Sequence, residues 1–452
     1  MIPAESRDRH IISLTNTITR LKDIDDFIAK LWDIHLEVKK EGYAQNLTLG
    51  LFRSDYMVHL DPTQSNPKPT IRQVEFNTIA SSFGGLSSRV SSLHKYLLQT
   101  AAYPREAAAV IRPDFLPSNS SIESLASGLA KAHEAYNAYR NPSQPPRLRC
   151  IIFLVQENER NVFDQKHIEY ALFAQARVKV FRLPFSQVLS STSITPDASR
   201  ALLYTPPAFP DRTYEVSTIY FRAGYSPDEY TTDDAWKARL HLERSAAIKC
   251  PSILTHLAGC KKVQQILATP ESPHLARFLP YPSLAARVQR TFAPMYPMDG
   301  TSAAGQEGRR LALDPESAKR FVLKPQREGG GNNIYRTKIP EFLKSIPEEK
   351  WAAYVLMEMI ETPAQRNAVL RNGEIMEGGV ICELGVYGTC LWSHGPMVRE
   401  EGEQVPPGGE ESRGILLNEE AGTLLRTKGD QSEEGGVAAG FGAVDSVCLI
   451  DL

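Results

Sequence analysis

The stretch FVLKPQREGGGNNIY, Phe321–Tyr335, decides the reading of this chain. A short buried strand delivers Lys324 at its end, Pro325 stops regular pairing, and Glu328, Gly329, Gly330, Gly331, Asn332 and Asn333 follow. Glycines let backbone amides approach a phosphate with no Cβ in the way and permit positive φ. A lysine beside them supplies a point charge for a phosphate oxygen. A flexible hairpin loop is the alternative, but the strand-end lysine and the internal glutamate favour a loop that covers phosphates. It is neither a P-loop, which needs G-x-x-x-x-G-K-[ST] opening a helix, nor a dinucleotide G-x-G-x-x-G.

A second polar segment lies upstream, IRQVEFNTIASSFGG at Ile71–Gly85. Strand alternation sends Val74 and Phe76 to one face and Gln73, Glu75 and Asn77 to the other. Glu75 and Asn77 then stand about 7 Å apart. A carboxylate and an amide carbonyl are hard oxygen donors suited to Mg²⁺ shared with nucleotide phosphates. A solvated edge-strand face is the competing reading, and the tight Ser-Ser-Phe-Gly-Gly loop that follows weighs against it. Further cations are Arg53, Arg222, Lys261 with Lys262, Arg426 and Lys428; Arg53, Arg222 and Arg426 sit at the edges of apolar strand-like runs, where arginine suits bidentate clamping of carboxylates. AYVLMEMIE, Ala353–Glu361, is an apolar strand carrying Glu358, able to hydrogen-bond a purine through its backbone or to serve as plain structure.

Around these segments the chain reads as an α/β protein. Residues 24–40 are helical by period, and Leu47–Phe52 and Thr70–Ile79 are strand-like. A helix over Ile122–Tyr139 leads to the proline-rich loop Asn141–Pro146, a domain boundary. Short apolar strands (Cys150–Val155, Val178–Leu183, Ala201–Tyr204, Val216–Phe221) then alternate with helices, a parallel-sheet pattern, and a long helix is expected over Asp234–Lys249. Strands at Arg320–Lys324, Tyr354–Ile360 and Gly379–Leu391 mark the third part, and the acidic Gly/Pro stretch 395–413 reads as a solvated loop without chemistry.

With 452 residues the length suits about three domains. The 51 basic and 53 acidic residues leave a net charge of −2, which argues against nucleic-acid binding by bulk charge. No 18-residue apolar run suggests a membrane span, and the charged start does not look like a signal peptide. Six scattered cysteines without a C-x-x-C pair read as reduced thiols of a cytoplasmic protein.

Lys324–Asn333, KPQREGGGNN, resembles the glycine-rich loop of the eukaryotic glutathione synthetases, an ATP-grasp family. RSDYM (Arg53–Met57), E-x-N-T-I-x-x-S-F-G-G (Glu75–Gly85), QENERNxFDQ (Gln156–Gln165), YFRxGY (Tyr220–Tyr225), LERSxAxKCP (Leu242–Pro251), LAGxKKVQQ (Leu257–Gln265), ELGVYG (Glu383–Gly388), LLRTK (Leu424–Lys428) and GGVAAG (Gly435–Gly440) resemble the same family in the same order. The likeness runs from about Phe27 to Gly442. It implies an ATP-grasp body, split between 1–148 and 260–452, with an α/β substrate domain inserted at 149–259. It also implies ATP-dependent ligation of γ-glutamylcysteine with glycine through an acyl phosphate.

Carried over by motif, Glu75, Asn77 and Glu328 would hold Mg²⁺, two ions in the family. Lys261 and Lys324 would bind phosphates under Gly329, Gly330 and Asn333. Tyr335, Met357, Glu358, Met359 and Ile360 would line the adenine, with Glu383, Lys428 and Glu434 as further nucleotide contacts. Arg53, Ser82, Glu159, Arg160, Asn161, Gln165, Arg222 and Tyr225 would bind the dipeptide. Arg426, Val437 and Ala438 would close over the substrates, Arg426 stabilising the acyl-phosphate step and acting with Lys324 and Lys261 in catalysis. The partners implied are small molecules and a second copy of the chain, with neither nucleic acid nor membrane.

Three departures stand out. The likeness starts late, with Met1–Asp23 matching poorly, as in a version shortened at its N-terminus; an inactive polypeptide that keeps only ATP and peptide binding is then the alternative. Ala80 stands where the family carries a hydroxyl, and Met359 where a lysine is frequent. A sister ligase using β-alanine is the other alternative.

Overall fold

A computed structural model describes residues 17–19, 21–108, 110–138, 147–269, 273–276, 278–279, 281–328, 331–371, 373–394, 414–432, 437 and 442–449. The expected boundary loop at 141–146 and the acidic stretch 395–413 lie outside them. The principal elements run α1 (Asp26–Glu41), β1 (Leu47–His59), β2 (Thr70–Asn77), α2 (Gly84–Gln99), α3 (Ser121–Ala138), β3 (Arg149–Val155), α4 (Val162–Ala176), β4 (Val180–Pro184), β5 (Thr192–Ile194), β6 (Leu202–Tyr204) and β7 (Tyr214–Phe221). They continue α5 (Asp233–Arg244), β8 (Ile248–Cys250), α6 (Lys261–Ala268), β9 (Met295–Pro297), α7 (Ala303–Leu313), β10 (Phe321–Pro325), β11 (Ile334–Tyr335), α8 (Lys338–Ser345), β12 (Tyr354–Glu358), β13 (Gln365–Arg371), β14 (Glu374–Ser393), β15 (Ile415–Gly429) and β16 (Gly442–Asp445). The architecture is α/β.

Two sheets carry these strands. The larger has the order β16-β15-β14-β1-β8-β7-β3-β4, with β2 added to β1, β13 to β14, and the β5–β6 hairpin to β7. Its two halves differ in sense. From β8 to β4 the strands are parallel, and the apolar runs of β3 and β7 are buried throughout, as helix-covered parallel strands must be. From β1 to β16 they are antiparallel. β1 joins the halves because it is long: on one edge Thr48 meets Lys249 of β8, and farther along Arg53–His59 pair with β2. The smaller sheet, β11-β10-β12-β9, packs the apolar sides of α7 and α8 around Phe321, Leu323 and Leu356.

The element at the N-terminal side follows from local chemistry. Asp25 caps α1 by accepting from the amides of Phe27 and Ile28, both at 3.1 Å, and Phe27, Ile28, Leu31, Trp32 and Val38 enter the core. Ile18 and Leu21 are buried in the same cluster.

One expectation needs correction. The helix anticipated over Asp234–Lys249 ends at Arg244, and Ile248–Cys250 is a buried strand between β1 and β7. Extended Ser245 ends the helix, and pairing on both edges decides the short Ile-Lys-Cys run, which a helical period cannot distinguish. On β2 the polar face is the covered one: Gln73 and Asn77 are buried while Phe76 is exposed and rests on Phe52. Among the described residues no helix is long and apolar enough to cross a membrane. All six cysteines are free thiols.

Candidate active site

The two sheets meet over one polar centre. Strand alternation places Arg53 and Asp55 on the same face of β1, with Glu75 and Asn77 of β2 beside them through the pairs Arg53↔Asn77 and Asp55↔Glu75. β14 and β15 bring Glu383 and Arg426 opposite each other. From the smaller sheet, β10 projects Lys324, and the first residue of α6 is Lys261.

Lys261 lies between the carboxylates of Glu75 and Glu328, its Nζ 3.1 Å from one and 3.8 Å from the other. Lys324 donates to the Val74 carbonyl at 2.9 Å. Arg426 contacts Glu383 and donates to Asp55 at 2.9 Å. Buried charge survives only when balanced, and here Lys261, Lys324, Arg53 and Arg426 face Glu75, Glu328, Glu383 and Asp55. Burial would raise the Glu75 pKa, but Lys261, Lys324 and Arg426 outweigh it and hold the carboxyl well below its usual range. Burial pushes Glu328 up, against the pull of Lys261. For Lys324 burial lowers the pKa, Glu75 opposing.

The donor set suits a hard cation. Glu75 and Glu328 converge on one ammonium, so their oxygens already bracket a single cationic position. Asn77 uses its amide nitrogen on the Arg53 carbonyl and Asp55, leaving Oδ1 as the atom it can offer. Two carboxylates and an amide oxygen fit Mg²⁺ completed by phosphate oxygens. A protein-only cage is not there: among the described residues no group of three or more His, Cys, Asp or Glu is arranged for a metal.

A second cluster adjoins the first. Arg222, at the end of β7, donates to the Ser81 carbonyl at 2.8 Å and Ser82 Oγ at 2.6 Å, while Arg53 donates to the Ser82 carbonyl at 3.0 Å. Glu159 accepts from the Asn161 amide at 2.8 Å and from Gln165 at 2.6 Å, and Gln156 donates to the Tyr225 hydroxyl at 3.1 Å. Arg160, Asn161 and Gln165 thus stand at or beside the start of α4. Tyr335, Met357, Met359 and Ile360 gather in one apolar cluster with Val322 and Val355. β12 pairs on both edges, and the amides of Glu358 and Met359 already donate to Pro294 and Arg320, so this strand has no open edge before residue 358. Asn333 donates to the Tyr335 hydroxyl at 3.2 Å. Lys428 shares the Arg426 face of β15, and Val437 packs against the core cluster that includes Leu49, Leu125 and Leu424. Gly329, Gly330, Glu434 and Ala438 lie outside the described residues.

Sequence reasoning missed Asp55, Tyr387 and Asp164. Asp55 sits inside RSDYM, two residues from Arg53, so alternation could have placed it on the same face. Tyr387 donates to the Ser82 carbonyl at 2.6 Å. Asp164 accepts from the amides of Phe83, Gly85 and Leu86 at 2.7–3.1 Å, anchoring the start of α2 behind Ser82. The backbone oxygen of Asp164 also lies 2.2 Å from where a Cβ on residue 85 would be, which is why glycine stands there.

The profile described as "Eukaryotic glutathione synthase, ATP binding domain" matches residues 6–449. The glutathione synthetase large chain of Schizosaccharomyces pombe is 39% identical over 94% of this chain and 81% of its own length. The human glutathione synthetase is 39% identical over 96% and 81%, and that of Dictyostelium discoideum 36% over 95% and 82%. Among solved structures, the apo form of a glutathione synthetase like-effector from Globodera pallida superposes with a TM-score of 0.65 at 17% identity, covering 98% of this chain and 87% of the other, a likeness of fold. By these matches the protein is an ATP-dependent ligase. The chain belongs to the eukaryotic glutathione synthase family. The match from residue 6 corrects the expectation that the family likeness begins only near Phe27.

Proposed function

We propose that this chain joins γ-glutamylcysteine to glycine, converting ATP to ADP and phosphate and producing glutathione. The observation that carries the reading is the adjacency of two clusters. Lys261 and Lys324, with Glu75 and Glu328, form a charged centre suited to phosphates, and Arg53, Ser82 and Arg222 form an edge suited to a carboxylate beside it.

The chemistry asks the protein for position and charge. The cysteinyl carboxylate attacks the γ-phosphoryl group, ADP leaves, and the glycine amine then displaces phosphate from the acyl phosphate. Lys261 and Lys324 neutralise the phosphoryl oxygens, and Arg426 meets the charge that develops at the acyl phosphate. Glu75, Asn77 and Glu328 would hold Mg²⁺, which would supply positive charge against the phosphates. Tyr335 and Met357–Ile360 would receive the adenine, with Glu383, Lys428 and Glu434 as further nucleotide contacts. Arg53, Ser82, Glu159, Arg160, Asn161, Gln165, Arg222 and Tyr225 would orient the dipeptide, and residues 329–331 with 435–440 would cover the site from water. Residues 1–148 and 260–452 would form the ATP-binding body around a substrate unit at 149–259. A cytoplasmic homodimer follows from the family resemblance.

Phosphate release with MgATP and γ-glutamylcysteine, with and without glycine, tests the reaction. Glycine-dependent release matched by glutathione supports it. Release that follows β-alanine instead would move the chain to a sister ligase, and no release from a folded, ATP-binding protein would sink the activity.

A further inference from the structure

We propose that Asp55 is the positioning residue that sets Arg53 and Arg426 relative to each other; the inference rests on the ligase reading above. Asp55 is fully buried in β1, opposite Gly385 of β14 and Glu75 of β2. Its Oδ1 accepts from Arg53 Nε at 2.6 Å. Its Oδ2 accepts from Arg53 Nη2, Arg426 Nη2 and Asn77 Nδ2, each at 2.9 Å.

The side chain is thereby filled. Four donors and complete burial keep it from a substrate, so it acts through its partners. Those partners come from three strands and carry three separate tasks: Arg53 faces the dipeptide loop, Arg426 the acyl phosphate, Asn77 the metal. One carboxylate fixes the spacing between them.

The surroundings are shaped for this. A Cβ at residue 385 would lie 2.7 Å from Arg53 Cδ and 2.7 Å from Asp55 Oδ1, so the glycine of ELGVYG makes room for the pair. Arg53 is held bidentate, which fixes its plane, and its remaining Nη1 points to the Ser82 carbonyl. Arg426 is shared between Asp55 and Glu383, which holds two guanidinium groups close together without net repulsion. Lys261 and Lys324 contact other groups, Glu75, Glu328 and the Val74 carbonyl. Loss of Asp55 therefore bears on the dipeptide and the transfer step most, and on the metal side through Asn77 alone, while the contacts of the nucleotide lysines stay.

The test is Asp55→Asn, which keeps the side-chain volume, with Asp55→Glu as the variant that keeps the charge but moves the carboxylate by one methylene. Displacement of catalytic groups by about 1 Å costs on the order of 10²-fold in rate, which is the expected fall in kcat, with KM for γ-glutamylcysteine raised more than KM for MgATP. Combined with Arg426→Ala, Asp55→Asn should cost less than the product of the two single losses, because part of its effect passes through the Arg426 guanidinium and only the part through Arg53 and Asn77 is added. Losses that multiply, or Asp55→Asn within twofold of the parent, overturn the proposal. A crystal structure of either variant reads position without activity: Arg53 and Arg426 displaced supports it, and both unmoved overturns it. If the parent itself makes no glutathione, the ligase reading has failed, and the crystallographic arm alone decides Asp55.

Discussion

Lys324 shows why one side chain at a strand end carries weight. Its ammonium is buried, and in this structure its hydrogen bond is to a single backbone carbonyl, that of Val74. A charge held so sparsely is placed for a ligand. Lys324→Ala should cost roughly 10²–10³-fold in kcat, the scale for one preorganised charge-stabilising group. Activity within twofold of the parent would remove Lys324 from the mechanism. Arg222 answers to the other substrate. It touches Ser81 and Ser82 and none of the nucleotide lysines, so Arg222→Ala should raise KM for γ-glutamylcysteine more than KM for ATP. The reverse pattern in steady-state kinetics would place it on the nucleotide side.

At the scale of elements, the site depends on how α1 and α2 are seated. Asp164, on α4, satisfies three amides at the start of α2, two of them on the loop-to-helix turn that follows Ser82. Asp164→Ala leaves those buried donors unpaired and should destabilise by about 1–3 kcal/mol, read as a lower denaturant midpoint at unchanged slope. An unaltered midpoint would mean the loop closes without it. α1 bears on acid stability. Burial, with Lys39 adding, lowers the His35 pKa to about 4 from its ordinary 6.5. Between these values the unfolded chain takes up a proton that the folded one refuses, so stability is full above pH 6.5 and declines as pH falls to about 4. The slope from this one group is at most about 1.4 kcal/mol per pH unit. His35→Gln should flatten it in urea titrations from pH 6.5 to 4; a variant as acid-sensitive as the parent would acquit His35.

For the whole molecule, the two sheets are tied across the polar centre. Arg327, just after β10, pairs with the α1 cap Asp25 at 2.6 Å, and Lys324 reaches β2. A ligand seated between the sheets therefore stabilises both. MgATP at one hundred times its Kd should add about 2.7 kcal/mol to the native state and raise Tm in a thermal scan. A midpoint indifferent to millimolar MgATP would argue against nucleotide binding between these sheets.

What the sequence determined by itself was chemical. The strand-end lysine, the glycine loop and the carboxylate–amide pair of β2 were readable, because local periodicity reports which side chains share a face. The α/β class was readable too, from short apolar runs alternating with helical ones. Tertiary structure alone decided the rest. Residues 53, 75, 383 and 426 converge because β1 pairs with β2 and β14, and β14 with β15, while Lys261 and Lys324 arrive from α6 and the smaller sheet. Ile248–Cys250 became a strand because neighbours on both edges took its hydrogen bonds, and β2 turned its polar face inward because counter-charges wait there. Alternation places Asp55 on the face of Arg53, but its full set of partners includes residues 22 and 371 positions away, which no local pattern shows. Periodicity is a property of neighbours in the chain, whereas pairing and charge balance belong to neighbours in space.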